Sequence, residues 1–401
     1  MNILFLSHRL PYPPNKGSTL RSFNIIRHLA REHRISLLCP ILSEAESKNV
    51  AGLTPYCDDI GVANVGGWSA KFRLGSALLS GKSLTVAHFY SPRLSKMVKT
   101  KIDKERFDLI MIHSSSMIEY IKDIKGIPKV VDLCDVDSDK WRQYAEWSRP
   151  PLSLIYRWEA GRLRRYEAET AASFDYLTFI SKQEEEVFAS FASHPAIEII
   201  PNGVDSDYFQ PPAVEARTEY DPHALIFTGV MDYLPNVDGV TYFAREIFPL
   251  VKSRLPRARF FVVGSSPAKS VKALAKIEGV VVTGGVPDVR PYLINSAVSC
   301  VSLRMARGVQ NKILEAMACG TPVVTTSKAF EGLDALPPQS VRLADTPSEF
   351  AQQVVKIMTD RQLRAKLSVE GQRLVKERYN WDTLLSKLDQ IMSRIGCQKS
   401  D

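Results

Sequence analysis

The chain has 401 residues, 45% hydrophobic and 24% charged, the balance of a soluble globular protein with two or three domains. Its 52 Lys and Arg against 44 Asp and Glu leave a formal charge of +8, which suits an anionic ligand or membrane surface. That charge is diffuse, and no basic run carries the interleaved aromatics that nucleic-acid binding needs.

The start of the chain lacks the basic leader and small-residue cleavage site of a secretion signal, so 3–7 reads as a buried strand. A helix over 18–32 and a strand over 35–39 follow, then strands over 109–112, 130–133, 176–180 and 197–200. This alternation predicts a parallel sheet covered by helices. Pro201-Asn202-Gly203-Val204-Asp205 carries a strong turn signal and opens a proline-containing connection. Beyond it the scheme repeats, with strands over 225–229, 260–263, 280–283, 299–303 and 323–325 and helices over 237–255 and 271–277. The last stretch, 347–395, is largely helical, and Asn380 is placed to cap its final helix. The expected fold class is α/β, two doubly wound Rossmann-like domains facing a cleft, with ligand outside the carboxyl ends of the strands. The boundaries are 1–200, 201–378, and a final helical segment 379–401 expected to pack back on the first domain.

No apolar run approaches the ~18 residues of a spanning helix. The six cysteines (Cys39, Cys57, Cys134, Cys300, Cys319, Cys397) lack the short paired spacing of a zinc site and fit reduced thiols in the cytoplasm.

The most informative segment runs from Gly308 to Val324. A turn leads into a helix beginning near Val309, with Ile313, Leu314, Met317 and Ala318 on its apolar face. Gly320 stops the helix and Pro322 opens a strand. Glu315 sits in the second turn, near the partly positive helix start where an anion would bind. A carboxylate able to accept two ribose hydroxyls thus stands beside a site suited to a diphosphate.

Ile200-Pro201-Asn202-Gly203-Val204-Asp205 with Phe209, followed a domain length later by Glu315-Ala316-Met317-Ala318 and Gly320-Thr321-Pro322-Val323-Val324, resembles glycosyltransferase family 4. The resemblance covers nearly the whole chain and implies a GT-B fold and a retaining glycosyltransferase. A narrower set looks like the glycosyltransferases associated with the exosortase A/PEP-CTERM exopolysaccharide system. It comprises Arg9 to Gly17, Asp135-Val136-Asp137-Ser138 with Lys140-Trp141, Met231-Asp232-Tyr233 with Pro235 to Asp238, and Gly308 to Lys312.

The resemblance implies roles. Gly17 would lie under the donor diphosphate; the alternative is a plain strand-to-helix turn. Glu315 would hold the nucleotide ribose, with Asn202, Gly229, Arg307, Gly308, Gln310 and Asn311 also on the donor. His113 would touch the donor sugar or its phosphate, or else simply pack at a strand end; His8 is a weaker candidate. Asp135, Asp137 and Asp139 read as an acidic loop, with Asp135 and Asp137 either binding an acceptor hydroxyl or forming a solvated turn. They lack the Gly and terminal Glu of a calcium loop, so neither a metal nor another cofactor is expected beyond the nucleotide-sugar donor.

The chain also departs from the family. A glutamate common in the family is Arg307 here, and the usual Arg and Lys after the first strand of the second domain are absent from Gly229 to Asn236. Leaving-group charge still needs a cation, and Lys312 or Arg304 lies in the right segment to substitute. The stretches 68–79 and 152–166 mix basic, aromatic and aliphatic residues, so they read either as contacts with an anionic membrane or as core-facing helices with charged outer faces. The expected partners are therefore a nucleotide sugar, a saccharide or lipid-linked acceptor, and an anionic membrane contacted peripherally on the inner face of the plasma membrane. Two rival readings are a non-catalytic nucleotide-sugar sensor or scaffold and a nucleotide-sugar epimerase.

Overall fold

Short runs of Ile, Leu, Val and Phe form strands buried on both faces, which is the signature of parallel sheets covered by helices. The computed structural model describes residues 1–14, 17–211, 220–306, 308–333 and 338–397. The chain divides into two units, Met1–Pro201 with Leu385–Asp401, and Asn202–Leu384.

In the first unit, β1 (Asn2–Ser7), β2 (Arg34–Ile41), β3 (Asp59–Asn64), β4 (Leu109–His113), β5 (Lys129–Cys134), β6 (Tyr176–Phe179) and β7 (Ile197–Ile199) form one sheet. Its order is β3-β2-β1-β4-β5-β6-β7, and every pairing is parallel. In the second unit, β8 (Asp221–Thr228), β9 (Arg259–Val263), β10 (Val280–Gly284), β11 (Ser296–Val301), β12 (Val323–Thr325) and β13 (Arg342–Leu343) take the order β10-β9-β8-β11-β12-β13, again parallel. Each sheet reverses direction of growth once, between β1 and β4 and between β8 and β11. Doubly wound sheets bind ligands at such switch points, outside the carboxyl ends of the strands.

The sequence reading missed β3 and β13. Both are edge strands, and β3 carries Asp59, Gly61 and Asn64, which an edge tolerates because only one side pairs. The helix expected over 237–255 is interrupted. It runs as Leu234–Tyr242, a π turn Phe243–Ile247, and Phe248–Arg254, with Pro249 at the last junction. The expected 271–277 helix is Lys269–Lys272 continued by a 3₁₀ turn. Trp381–Cys397 starts after Asn380, whose Oδ1 accepts from the Asp382 N–H at 2.9 Å. Asp389 and Lys387 of that helix bond His28 and the Ile199 carbonyl, both in the first unit. Among the described residues, no helix is long and apolar enough to cross a membrane.

Candidate functional site

In the second unit, β8 ends at Thr228 and Gly229 follows at the switch point. The helix Asn311–Ala318 buries Ile313, Leu314, Ala316, Met317 and Ala318. It begins two residues later than expected, because Gly308 takes a left-handed φ of +55° and Gln310 is extended. Lys312 and Glu315, three positions apart, therefore share the opposite face. The Lys312 ammonium donates to Asn236 Oδ1 and lies 4.2 Å from the centre of the Phe227 ring. Asn236 is itself held by its Nδ2, which donates to the Val230 carbonyl at 2.9 Å. A Cβ on Gly229 would come within 2.7 Å of Asn236 Nδ2 and 3.2 Å of Lys312 Nζ, so glycine is needed for this approach.

Burial pushes the Lys312 ammonium down to about 7, with Glu315 partly opposing the shift. Burial likewise pushes the Glu315 carboxyl up to about 7, with Lys312 opposing. Among the described residues no donor reaches the Glu315 carboxylate and no carboxylate pairs with Lys312, so both keep capacity for a ligand. Among the described residues, Asn311 Oδ1 is buried without a partner. Arg304, the other candidate cation, is already committed. Its guanidinium grips both oxygens of Asp238 and covers the Tyr242 ring at 4.7 Å. Arg307 lies outside the described residues. Asn202 belongs to a segment whose neighbours anchor elsewhere: Val204 N donates to the Tyr379 carbonyl at 2.8 Å, and Gly203 packs on Tyr379 and Trp381.

In the first unit, Ser7 and His113 are register partners at the ends of β1 and β4, at the switch point. His113 is buried, and its Nδ1 lies 2.8 Å from Asp132 Oδ2. Asp132 also accepts from Arg21 Nε and Nη2 at 2.8 and 2.7 Å and from Thr178 Oγ1 at 2.7 Å. The Arg21 guanidinium, followed by the His113 hydrogen bond, overrides burial and holds the Asp132 carboxyl well below the usual carboxylate range. An ionised Asp132 can only accept in this contact, so His113 donates through Nδ1. The His8 ring lies tilted 32° against that of His113, their centres 5.3 Å apart, and burial, then His113, push its imidazole well below its ordinary range.

His113, Asp132 and Cys134 bring ligand atoms within 4.8 Å of one another. A cation there would face the Arg21 guanidinium, and burial pushes the Cys134 thiol well above its ordinary range. The donor set does not fit a metal.

The acidic loop is a correction: only Asp135 lies in a loop. Asp137 and Asp139 fall in the first turn of the helix Asp137–Trp147, where carboxylates favour the positive helix end. Asp137 accepts from Ser115 Oγ at 2.8 Å and Asp139 pairs with Arg142. Among the described residues, Asp135 Oδ1 and Ser7 Oγ near these strand ends are buried without hydrogen-bond partners, the condition of a site awaiting a polar ligand. Gly17 is the exposed first residue of the helix Gly17–Leu29, and a Cβ there would meet nothing within 4 Å. Asn15 and Lys16 before it lie outside the described residues.

Sequence reasoning missed Asn236, Phe227, Arg21 and Asp132 as site-building residues. A carboxylate inside the apolar run Val130-Val131-Asp132-Leu133 was a signal for a buried partner.

Residues 16–208 match the family model described as Glycosyltransferase Family 4, and residues 222–360 match Glycosyl transferases group 1. A GDP-mannose-dependent alpha-(1-6)-phosphatidylinositol monomannoside mannosyltransferase of Mycolicibacterium smegmatis is 26% identical over 239 residues, 55% of this chain and 62% of that protein. The chain thus spans about three fifths of the length of the curated relatives it matches. Sucrose-phosphate synthase from Thermosynechococcus elongatus superposes with a TM-score of 0.73 at 14% identity, covering 99% of this chain and 100% of that one. Anabaena HepE in complex with UDP and glucose superposes at 0.69 and 16% identity, covering 98% and 100%. At such identities the likeness concerns the fold, which is GT-B.

Proposed function

The chain belongs to glycosyltransferase family 4, and on that premise we propose that it transfers a sugar from a nucleotide diphosphate-sugar to a saccharide or lipid-linked saccharide acceptor. Anomeric configuration is retained, and the product enters exopolysaccharide assembly, as the narrower motif resemblance suggests. The observation that carries the donor half is the grouping of Lys312, Asn236, Gly229 and Glu315 at the carboxyl end of β8. Glu315 accepts two ribose hydroxyls. Lys312, aimed by Asn236, neutralises the diphosphate together with the amides at the start of Asn311–Ala318. Gln310, Asn311 and Gly308 shape that turn, and Gly17 gives the diphosphate room at its own helix start. Among the similar proteins, one depends on GDP-mannose and another is a complex with UDP, which supports a nucleoside diphosphate leaving group.

In the transfer step the bond between the sugar C1 and the diphosphate oxygen breaks. The acceptor oxygen bonds C1 from the same face, and its proton passes to the departing phosphate. His113, oriented by Asp132, stabilises charge at the sugar through Nε2, and the unpartnered oxygen of Asp135 accepts from the acceptor.

The test is a panel of UDP-, GDP- and dTDP-sugars with extracted lipid-linked oligosaccharides, reading nucleoside diphosphate release and the anomeric configuration of the product. Acceptor-dependent release with retained configuration is expected. Binding without release would favour a sensor, isomerised sugar without transfer would favour an epimerase, and an inverted product would contradict retention.

A further inference from the structure

The helices Asp137–Trp147 and Leu152–Thr170 pack together in the first unit, and the turn between them is unusually apolar for a surface. Trp147 is 55% exposed, Leu152 52%, Leu154 61% and Ile155 44%. Four large apolar side chains within nine positions make a patch rather than scattered exposure.

The charges of the second helix are sorted. Two of its three acids, Glu159 and Glu167, point inward and are consumed: Glu159 accepts from Ser83 Oγ and from the Leu84 and Thr85 amides at 2.6, 2.7 and 2.9 Å, and Glu167 accepts from Ser138; the third, Glu169, is exposed in the last turn, far from the apolar end. Three of its four arginines point outward, while Arg162 is half-buried and donates to the Gly81 carbonyl. Arg157, Arg164 and Arg165 are exposed, as is Arg149 in the turn. Among the described residues, Arg149, Arg157 and Arg165 have no carboxylate partner, while Glu146, at the end of the first helix, is paired with Arg142.

We propose that this turn docks the protein on an anionic lipid bilayer, its apolar side chains entering the interface while Arg149 and Arg157 meet lipid phosphates. The order of residues along the helix favours lipid over a protein partner. Apolar groups come first, with a tryptophan suited to the interface, and arginine follows within two or three residues. Arg164 and Arg165 stand roughly 15–20 Å further along the axis at 1.5 Å per residue, where they add longer-range attraction to a negative surface. The other stretch with membrane character in the sequence, the helix Trp68–Ser80, leaves Leu79 exposed, but the side chains of 68–72 lie outside the described residues. The surface suits a lipid-linked acceptor, yet it depends on no part of the donor site, so the two readings fail separately.

Co-sedimentation of the full chain with phosphatidylcholine vesicles, with and without phosphatidylglycerol, tests it. Sedimentation is expected only with phosphatidylglycerol and should weaken as salt rises. The double variant Leu154→Ser/Ile155→Ser should abolish it, and Arg149→Gln/Arg157→Gln should weaken it roughly tenfold or more. These side chains are exposed, so melting temperature and nucleotide binding in solution should match the parent. The proposal is overturned if the parent does not sediment, if it binds neutral vesicles equally, or if both variants bind as the parent does. It is also overturned if light scattering shows self-association that the variants abolish, because a second copy would then cover the patch.

Discussion

Arg21 and Asp132, 111 positions apart in sequence, meet through two hydrogen bonds of 2.8 and 2.7 Å with both side chains almost wholly buried. The same carboxylate orients His113, so one buried ion pair fixes both the sheet end and a candidate catalytic imidazole. Removing one partner strands the other charge in the interior. Arg21→Met should destabilise the fold by about 3–5 kcal/mol in urea unfolding; a loss under about 1 kcal/mol would mean the pair is not buried as described. Because the folded Asp132 carboxyl lies far below its unfolded value, its contribution is present above the unfolded pKa and is lost as pH falls toward the folded one. The parent should therefore lose stability as pH drops below the ordinary carboxylate range.

Among the described residues of the segment, Lys312 has no carboxylate partner, whereas Arg304 is committed to Asp238. A charge-assisted contact of about 1.5–3 kcal/mol corresponds to roughly 10- to 150-fold in affinity. Lys312→Met should weaken UDP or GDP binding by that amount in calorimetry, while Arg304→Met should change it little. The opposite ranking would move the diphosphate role to Arg304.

Donor binding should exchange protons. At pH 8 burial leaves Lys312 mostly neutral, and an incoming diphosphate favours its charged form, so a proton is taken up. At pH 6 Glu315 is mostly protonated, and ribose hydroxyls favour its carboxylate, so a proton is released. Titrating a nucleotide sugar in buffers of different ionisation enthalpy should show uptake at pH 8, absent in Lys312→Met, and release at pH 6. Binding enthalpies independent of buffer at both pH values would contradict both shifts.

Gly264 follows β9 and lies against Gly229, such that a Cβ on it would come within 1.6 Å of the Gly229 carbonyl oxygen. Backbone cannot yield as a side-chain tip can. Gly264→Ala should cost about 3 kcal/mol or more and disturb the nucleotide site through Gly229; a stable variant with parental nucleotide affinity would show that the two turns can separate freely.

The legible parts of the sequence were those where local pattern and burial agree. Apolar runs over 109–112 and 299–303 located the central strands Leu109–His113 and Ser296–Val301, the second starting three residues earlier than expected, and the spacing of Ile313, Leu314 and Met317 gave the helix that carries Glu315. Two of the four edge strands, β3 and β13, stayed hidden, because a strand such as Asp59–Asn64 does not need an apolar run to pair on one side. The start of Asn311–Ala318 was misjudged because Val309 fits the apolar face while Gly308 and Gln310 adopt non-helical backbone. Site partners drawn from distant sequence could not be read at all. Nothing local links Lys312 to Asn236, 76 positions earlier, or pairs Arg304 with Asp238. The acidic run after β5 looked like a loop because Asp is common in loops, yet the same residues stabilise a helix start.

The central claim is that Glu315 holds the nucleotide ribose. Titration calorimetry of the parent and Glu315→Ala with UDP and GDP at pH 8 tests it directly, with melting temperature as the control for folding. Loss of two charge-assisted hydrogen bonds should weaken the preferred nucleotide by about thirtyfold or more while the fold persists. Equal affinities for parent and variant would contradict the assignment.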